Sequence, residues 1–253
     1  MNQILIGAIL LVSKVSFGKS LDYYYPMHNV ADLHFKVDSK SIRSLLLKNY
    51  MLEGFKTFEA DIYIVDKTVD MILETDPKID LTIKNEIKKI ILEKVHSIFF
   101  LINQRSWLNT YSKYKSKNGW DYYTRIGIDS TKEKLKIRKE INKITFILSK
   151  SKNIITTVFN YKKMKWSKNK LVLSSIERSR ENKREYTNVY TKINYAKLDD
   201  FYWLPSSLEI VTTHNIDKKS KLKPIRKIEE NLYFMNPIIN QSKAIKWFSK
   251  KTK

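Results

Sequence analysis

Four histidines stand at positions 28, 34, 96 and 214, and the chain contains no cysteine. A zinc site draws its ligands from closely spaced His, Cys, Asp and Glu. Neither an HExxH pattern nor any thiol is present, so no metal is expected. His96 lies between Val95 and Ser97 in a helical pattern and reads as a helix-surface or boundary residue. Asp199-Asp200 pairs two carboxylates but falls between two predicted strands, where turn chemistry is its reading. Beyond Gly18 the only glycines are Gly54, Gly119 and Gly127. A Walker loop or a dinucleotide fingerprint needs clustered glycines so that the backbone can approach phosphate, and neither can be built here. No nucleophile-elbow pattern supports a serine triad. The expectation is a protein without cofactor and without enzymatic activity. An exported hydrolase with scattered catalytic residues is the third-ranked alternative.

The chemistry that remains is that of charge and aromatic surface. Forty-eight Lys and Arg stand against 26 Asp and Glu, a formal charge of +22. Two readings compete for this excess: an AT-rich coding bias with general surface attraction, or a dedicated site for a polyanion such as phospholipid headgroups, anionic glycan or nucleic acid. The lysines are spread along the chain rather than gathered in blocks. Tyr23-Tyr24-Tyr25 and Trp120-Asp121-Tyr122-Tyr123 are the densest aromatic groups. Basic residues beside exposed aromatics suit single-stranded nucleic acid, glycan or a membrane interface. Packing on strand faces is the competing role, since tyrosine favours strands. Lys243 to Lys253, with Trp247 and Phe248, forms a basic tail that would dock on an anionic bilayer or pack against the sheet.

Positioning these residues is the work of a mainly antiparallel sheet. Period-two alternation runs through Phe58, Ala60, Ile62 and Ile64, continues at Val69, Met71 and Leu73, and returns at Ile144, Phe146 and Leu148. Ile154 to Phe159, Lys170 to Ile176, Tyr186 to Tyr195 and Leu208 to Thr213 follow the same habit. Asn118-Gly119 between two such runs predicts a type I′ hairpin, because both residues tolerate positive φ. The spacing predicts nine to eleven strands. One long helix interrupts them. Asp76-Pro77 supplies a cap and a first-turn proline. Ile83, Ile87, Ile91, Val95, Ile98 and Ile102 then recur at helical spacing. The sheet is the one large surface against which that stripe can be buried. Ser41 to Leu52 is ambiguous between helix and strand, and Ser242 to Lys250 predicts a short basic amphipathic helix.

The first residues bear on location. Ile4 to Val12 is an unbroken apolar run, and Ser16-Phe17-Gly18 follows with small residues at the −3 and −1 positions of a cleavage site. This reads as a secretory signal peptide cut between Gly18 and Lys19, with a buried N-terminal strand or helix as the alternative. The expected protein is periplasmic or secreted, with residues 19–253 as one domain and a short basic tail from about 236. Ile79 to Asn103 is interrupted by lysines and glutamates and is not a transmembrane segment.

The stretch Tyr195 to Thr213 resembles a recurring segment of the LolA-like group of periplasmic lipoprotein carriers. There a strand reaches an acidic or glycine turn, and an aromatic-Leu-Pro step opens the next strand. The matching residues are Tyr202, Trp203, Leu204, Pro205 and Ser206, then Leu208, Glu209 and Ile210. Met164-Lys165-Trp166, the strand from Leu171 and the strand Ile228 to Phe234 fit the same plan. This chain is longer and more basic than the compact carriers, and its long helix follows several strands instead of opening the domain. The resemblance implies an α+β fold: a strongly curved, incomplete barrel of mainly antiparallel β-structure, with helices covering an apolar cavity. It further implies a non-enzymatic, monomeric binding protein for lipid or lipoprotein acyl chains that approaches anionic membrane, with no nucleic acid as partner. Cavity candidates are Phe58, Ile62, Ile64, Ile91, Val95, Ile126, Ile128, Phe146, Leu148, Val158 and Ile210, each of which ordinary core packing would equally explain. The alternative function is an exported structural or adaptor protein that binds glycan or protein through a basic aromatic surface.

Overall fold

Alternation of apolar and charged residues makes twelve strands, β1 (Asp32–Asp38), β2 (Thr57–Val65), β3 (Thr68–Asp76), β4 (Ser112–Lys117), β5 (Trp120–Ile126), β6 (Lys132–Glu140), β7 (Lys143–Lys150), β8 (Asn153–Lys163), β9 (Leu171–Glu181), β10 (Tyr186–Lys197), β11 (Trp203–Asn215) and β12 (Arg226–Ile239). Among the described residues two helices of nine residues or more accompany them, α1 (Leu81–Phe99) after β3 and α2 (Lys243–Lys251) at the end. The computed structural model describes residues 30, 32–40, 42–44, 57–65, 68–76, 79–99, 110–127, 130–167, 170–182, 185–198, 202–215 and 226–251. Gly18, Lys19, Ile128, the Tyr23–Tyr25 group and Asp199-Asp200 lie outside the described residues, as does the Phe58 side chain. Of Ser41 to Leu52, residues 42–44 are helical and the remainder lies outside.

All twelve strands form one open antiparallel sheet in the order β3-β2-β1-β12-β11-β10-β9-β8-β7-β6-β5-β4. The chain runs β1 to β3 outward to one edge, and α1 leads to β4 at the opposite edge. It then meanders back strand by strand until β12 pairs with β1. Strands β1 and β6 exceed the nine to eleven expected. Both are short alternating runs, Leu33-Phe35-Val37 and Leu135-Ile137, whose intervening charges hide them in a lysine-rich chain. Asn118 and Gly119 adopt φ of 53° and 74° in the two-residue turn joining Lys117 to Trp120, as the hairpin reading requires.

The cap of α1 is Asp80 and not Asp76, which belongs to β3. Asp80 Oδ1 accepts the backbone N–H of Thr82 at 2.7 Å, and its carbonyl accepts Lys84 N–H at 2.9 Å. Ile87, Ile91 and Val95 are buried on the sheet-facing side, while His96 is exposed. Phe99 stacks on Phe35 of β1 at 5.1 Å and meets Phe234 of β12 edge-on at 5.6 Å. Lys94 pairs with Glu230 of β12 at 3.0 Å, and Glu93 with Arg178 of β9 at 2.7 Å. One apolar cluster results, running from Leu33, Ile62 and Leu73 under α1 through Leu208 and Ile176 to Phe159, Phe146 and Leu135.

The other face of the sheet carries α2 over β1 and β2. Buried Asp32 accepts the N–H groups of Ser242 (3.2 Å) and Ala244 (3.0 Å) at the helix N-terminus, where a carboxylate also complements the helix dipole. Trp247 stacks on Tyr63 at 4.9 Å and donates its indole N–H to Asp70. Of the two roles weighed for Trp247, packing against the sheet is the one observed.

Pro205 stands three residues into β11 rather than at its start, in the irregularity where the pairing steps from Asn194–Ser207 to Tyr195–Pro205. A proline tolerates that position because a bulge releases it from donating to the ladder. Trp203 stacks parallel to Trp166 at 4.7 Å, and Trp166 meets Tyr195 at 5.4 Å. Leu204 is buried. The aromatic-Leu-Pro step thus ties the β8–β9 connection to β10 and β11.

Candidate functional site

Cross-strand register decides which side chains share a face, since directly paired residues point the same way. Ile62 pairs with Phe35, Ile64 with Leu33, Phe146 with Ile137, Leu148 with Leu135, and Ile210 with Thr191. All five lie on the face that receives α1. Ile62, Ile91 and Val95 are fully buried where helix meets sheet, so they seal α1 down and offer no surface to a ligand. Phe146 and Ile210 are buried farther along the same face. Leu148 is only partly buried, a state that Tyr123, Leu173, Val189 and Tyr195 share elsewhere on the same face.

Two candidates lie elsewhere. Ile126 is 77% exposed and pairs with Lys132 on the face opposite α1. The inward positions of β5 are Asp121, Tyr123 and Arg125, two of them charged, which is why apolarity alone gives the wrong phase. Val158 pairs with Thr145 and Glu177, again on the opposite face, while its neighbour Phe159 turns inward. The β-branched run Ile154 to Phe159 carries no polar marker to set its phase.

The inward charges of β5 and β6 are neutralised locally. Glu133, 4% exposed, accepts the Tyr111 hydroxyl at 2.6 Å and Arg125 Nε at 2.7 Å on one oxygen, with Lys150 Nζ 3.3 Å from the other. The Arg125 guanidinium lies 4.4 Å over the Tyr111 ring and donates to Thr110 Oγ1 at 2.7 Å. The Tyr111 hydrogen bond, with that of Arg125, holds the Glu133 carboxyl below its ordinary range. Burial and the same bond push the Tyr111 phenol up. Burial raises Tyr123 to about 12. This network fastens the β5–β6 end of the sheet and supplies no free nucleophile or base.

A second buried polar pair sits beneath α2. His34 Nε2–H donates to Asp61 Oδ1 at 2.6 Å, and its Nδ1 has no hydrogen-bond partner among the described residues. Burial holds the His34 pKa below its usual value, against the opposing bond to Asp61, with Lys243 and Lys36 adding repulsion. Burial thus favours the neutral ring, which lies 4.7 Å from the Tyr63 ring. Among the described residues, no three His, Asp or Glu side chains converge as a metal site. No described helix is long and apolar enough to cross a membrane.

The face opposite α1 has a different character at the β4–β6 end. Lys132, Lys134, Lys136 and Arg138 alternate along β6 on that face, with Lys115 and Lys117 of β4 beyond β5. Between them stand Trp120 and Tyr122, with Arg138 5.9 Å over the first ring and Lys136 5.4 Å over the second. The lysines that looked dispersed in sequence are gathered here by the strand period. The signal was present in Lys132 to Glu140 as alternation of cation with apolar residue, and a count of charge by blocks does not detect it. No family model matches this chain, and neither a curated protein nor a solved structure matches it.

Proposed function

We propose that this chain is an exported, non-enzymatic binding protein that holds an acyl chain along the apolar face of its sheet, beside α1. The observation that carries the reading is the reach of α1. The helix packs on β3, stacks on β1 and β12 through Phe99, and also pairs with β9 through Glu93. In the sheet order β1 and β9 are four strands apart, about 19 Å in a flat sheet. Glu93 and Phe99 are six residues apart, about 9 Å along the axis of α1, and a helix is about 10–12 Å across with its side chains. Contact with both is what a sheet curled into a trough around the helix would produce. Register irregularities in four strand pairs, β1–β12, β4–β5, β8–β9 and β10–β11, favour such bending, because a bulge kinks its strand and increases twist.

Beyond α1 the trough would continue past Leu148, Leu173, Val189 and Tyr195, the partly buried apolar side chains. Each methylene removed from water there contributes roughly 0.8 kcal/mol, so an acyl chain needs no catalytic or strongly polar contact to bind. The resemblance of Tyr202 to Ile210 to the lipoprotein carriers supports the same ligand class. The test is titration of delipidated protein with a fluorescent fatty acid. Saturable binding is expected, lost in Leu148→Glu and retained in Ile126→Glu, with thermal melts establishing that both variants fold. Equal loss in both variants, or no saturable binding by the parent chain, contradicts the reading.

A further inference from the structure

On the β4–β6 end of the sheet, charge is sorted by face. The two acids within β5 and at the start of β6, Asp121 and Glu133, point to the α1 side, where Lys113 (2.7 Å) and Arg125 (2.7 Å) neutralise them. Six cations, Lys115, Lys117, Lys132, Lys134, Lys136 and Arg138, point the other way. One acid accompanies them, Glu140, paired with Arg138 at 3.0 Å. Among the described residues Lys115, Lys117, Lys132, Lys134 and Lys136 have no ion-pair partner, and all five are exposed. Alternate positions on a strand are about 6.6–6.8 Å apart and neighbouring strands about 4.8 Å, so the charges occupy a plane of roughly 20 by 10 Å and not a line.

The geometry points to a docking surface for an anionic phospholipid bilayer on this face of β4, β5 and β6. Three observations select a bilayer over a linear polyanion. The charges are distributed in two dimensions, matching a plane of headgroups. The rings of Trp120 and Tyr122 have Arg138 and Lys136 over them, so a base or sugar would compete with those cations for a stacking face. A cation beside an aromatic ring instead suits the headgroup layer, where amphipathic rings settle. Lastly, Ile126 (77% exposed) and Ile141 (85% exposed) stand at the two ends of β6, in the strand before it and in the turn after it. An isoleucine at each end of a basic plane can enter the acyl boundary while the lysines stay at the phosphates. The face is free of α2, which covers β1 and β2 at the other end of the sheet.

The experiment is co-flotation of the full chain with phosphatidylcholine vesicles, with and without phosphatidylglycerol. Binding is expected to require phosphatidylglycerol and to weaken with salt. Lysines near an anionic surface contribute enough that Lys132→Gln, Lys134→Gln and Lys136→Gln together should weaken binding on the order of a hundredfold. The same change at Lys84, Lys88 and Lys89 on α1, across the sheet, should weaken it by less than about threefold if position and not total charge matters. Ile126→Ser with Ile141→Ser should weaken it several-fold at constant charge, and thermal melts establish that each variant folds. Lys115→Gln with Lys117→Gln on the edge strand provides a second charge readout expected to weaken binding by at least about tenfold. The inference is overturned if the α1 triple variant loses as much as the β6 triple, or if the isoleucine pair is silent. It is equally overturned if a single-stranded oligonucleotide binds through the β6 lysines more tightly than the vesicles do.

Discussion

Glu133 shows how a charged residue earns an inward position in this sheet. Its carboxylate is nearly water-free, and three donors replace the lost hydration. Removing the acceptor takes one partner away from each of Arg125, Lys150 and the Tyr111 hydroxyl. Glu133→Ala is therefore expected to cost about 2–3 kcal/mol, read as a shift of the urea midpoint. The sign of its pH dependence follows from the depressed pKa. Folded Glu133 titrates below its ordinary value near 4.5, so its contribution is complete above that pH and fades as pH falls through the folded value. Urea midpoints of the parent chain should fall more steeply below about pH 4.5 than those of Glu133→Gln. Parallel curves would mean that this carboxylate is not the titrating link.

At the scale of elements, the two helices are held in different ways. Helix α1 is held by burial of Ile87, Ile91 and Val95, and α2 by polar anchors at Asp32 and Asp70, the Trp247–Tyr63 stack and buried Ala244. Ile91→Ala should cost about 2–5 kcal/mol in thermal or urea unfolding, whereas Ile126→Ala should remain within about 0.5 kcal/mol. Similar costs at both would contradict the assignment of Ile91 to the core and Ile126 to the surface. Asp32→Ala removes the two carboxylate oxygens that accept the Ser242 and Ala244 N–H groups at the start of α2, and Trp247→Ala removes the stack on Tyr63. Each should raise amide exchange across Lys243–Lys251 while leaving α1 protected, because the two helices occupy opposite faces of the sheet.

Element identity was legible where the pattern was local. Asn118-Gly119 needs only its own φ preferences, and the isoleucine spacing of α1 needs only a helical turn. Strands β1 and β6 are harder to read, because charged residues at every second position resemble a polar loop in a chain this basic. The helix cap shifted from Asp76 to Asp80 because both are plausible carboxylates before the same stripe, and only the length of β3 decides between them. Facing was the least legible property. Ile126 and Val158 required the register of neighbouring strands, and Asp121 and Arg125 turn inward only because partners from other strands neutralise them.

At the scale of the whole molecule, the order of strands does what no single segment can. Returning β12 to the side of β1 joins the two as the third and fourth strands from one edge and leaves β3 and β4 as edges, with α1 in the connection between them. One face thereby gathers the apolar cluster on which α1 packs, with neutralised charges at its β5–β6 end. Among the described residues the other face carries the C-terminal helix at one end and the basic–aromatic surface at the other. An acyl ligand on the first face and a bilayer against the second are separate claims, and failure of one leaves the other standing. The central claim is the apolar ligand site. The most direct measurement is native mass spectrometry of the intact chain, with lipid extraction and identification of what travels with it. Masses above the bare polypeptide that are assigned to acyl-bearing lipid, and that disappear in Leu148→Glu, are the predicted result. A bare polypeptide mass that fails to take up added fatty acid after delipidation would contradict it.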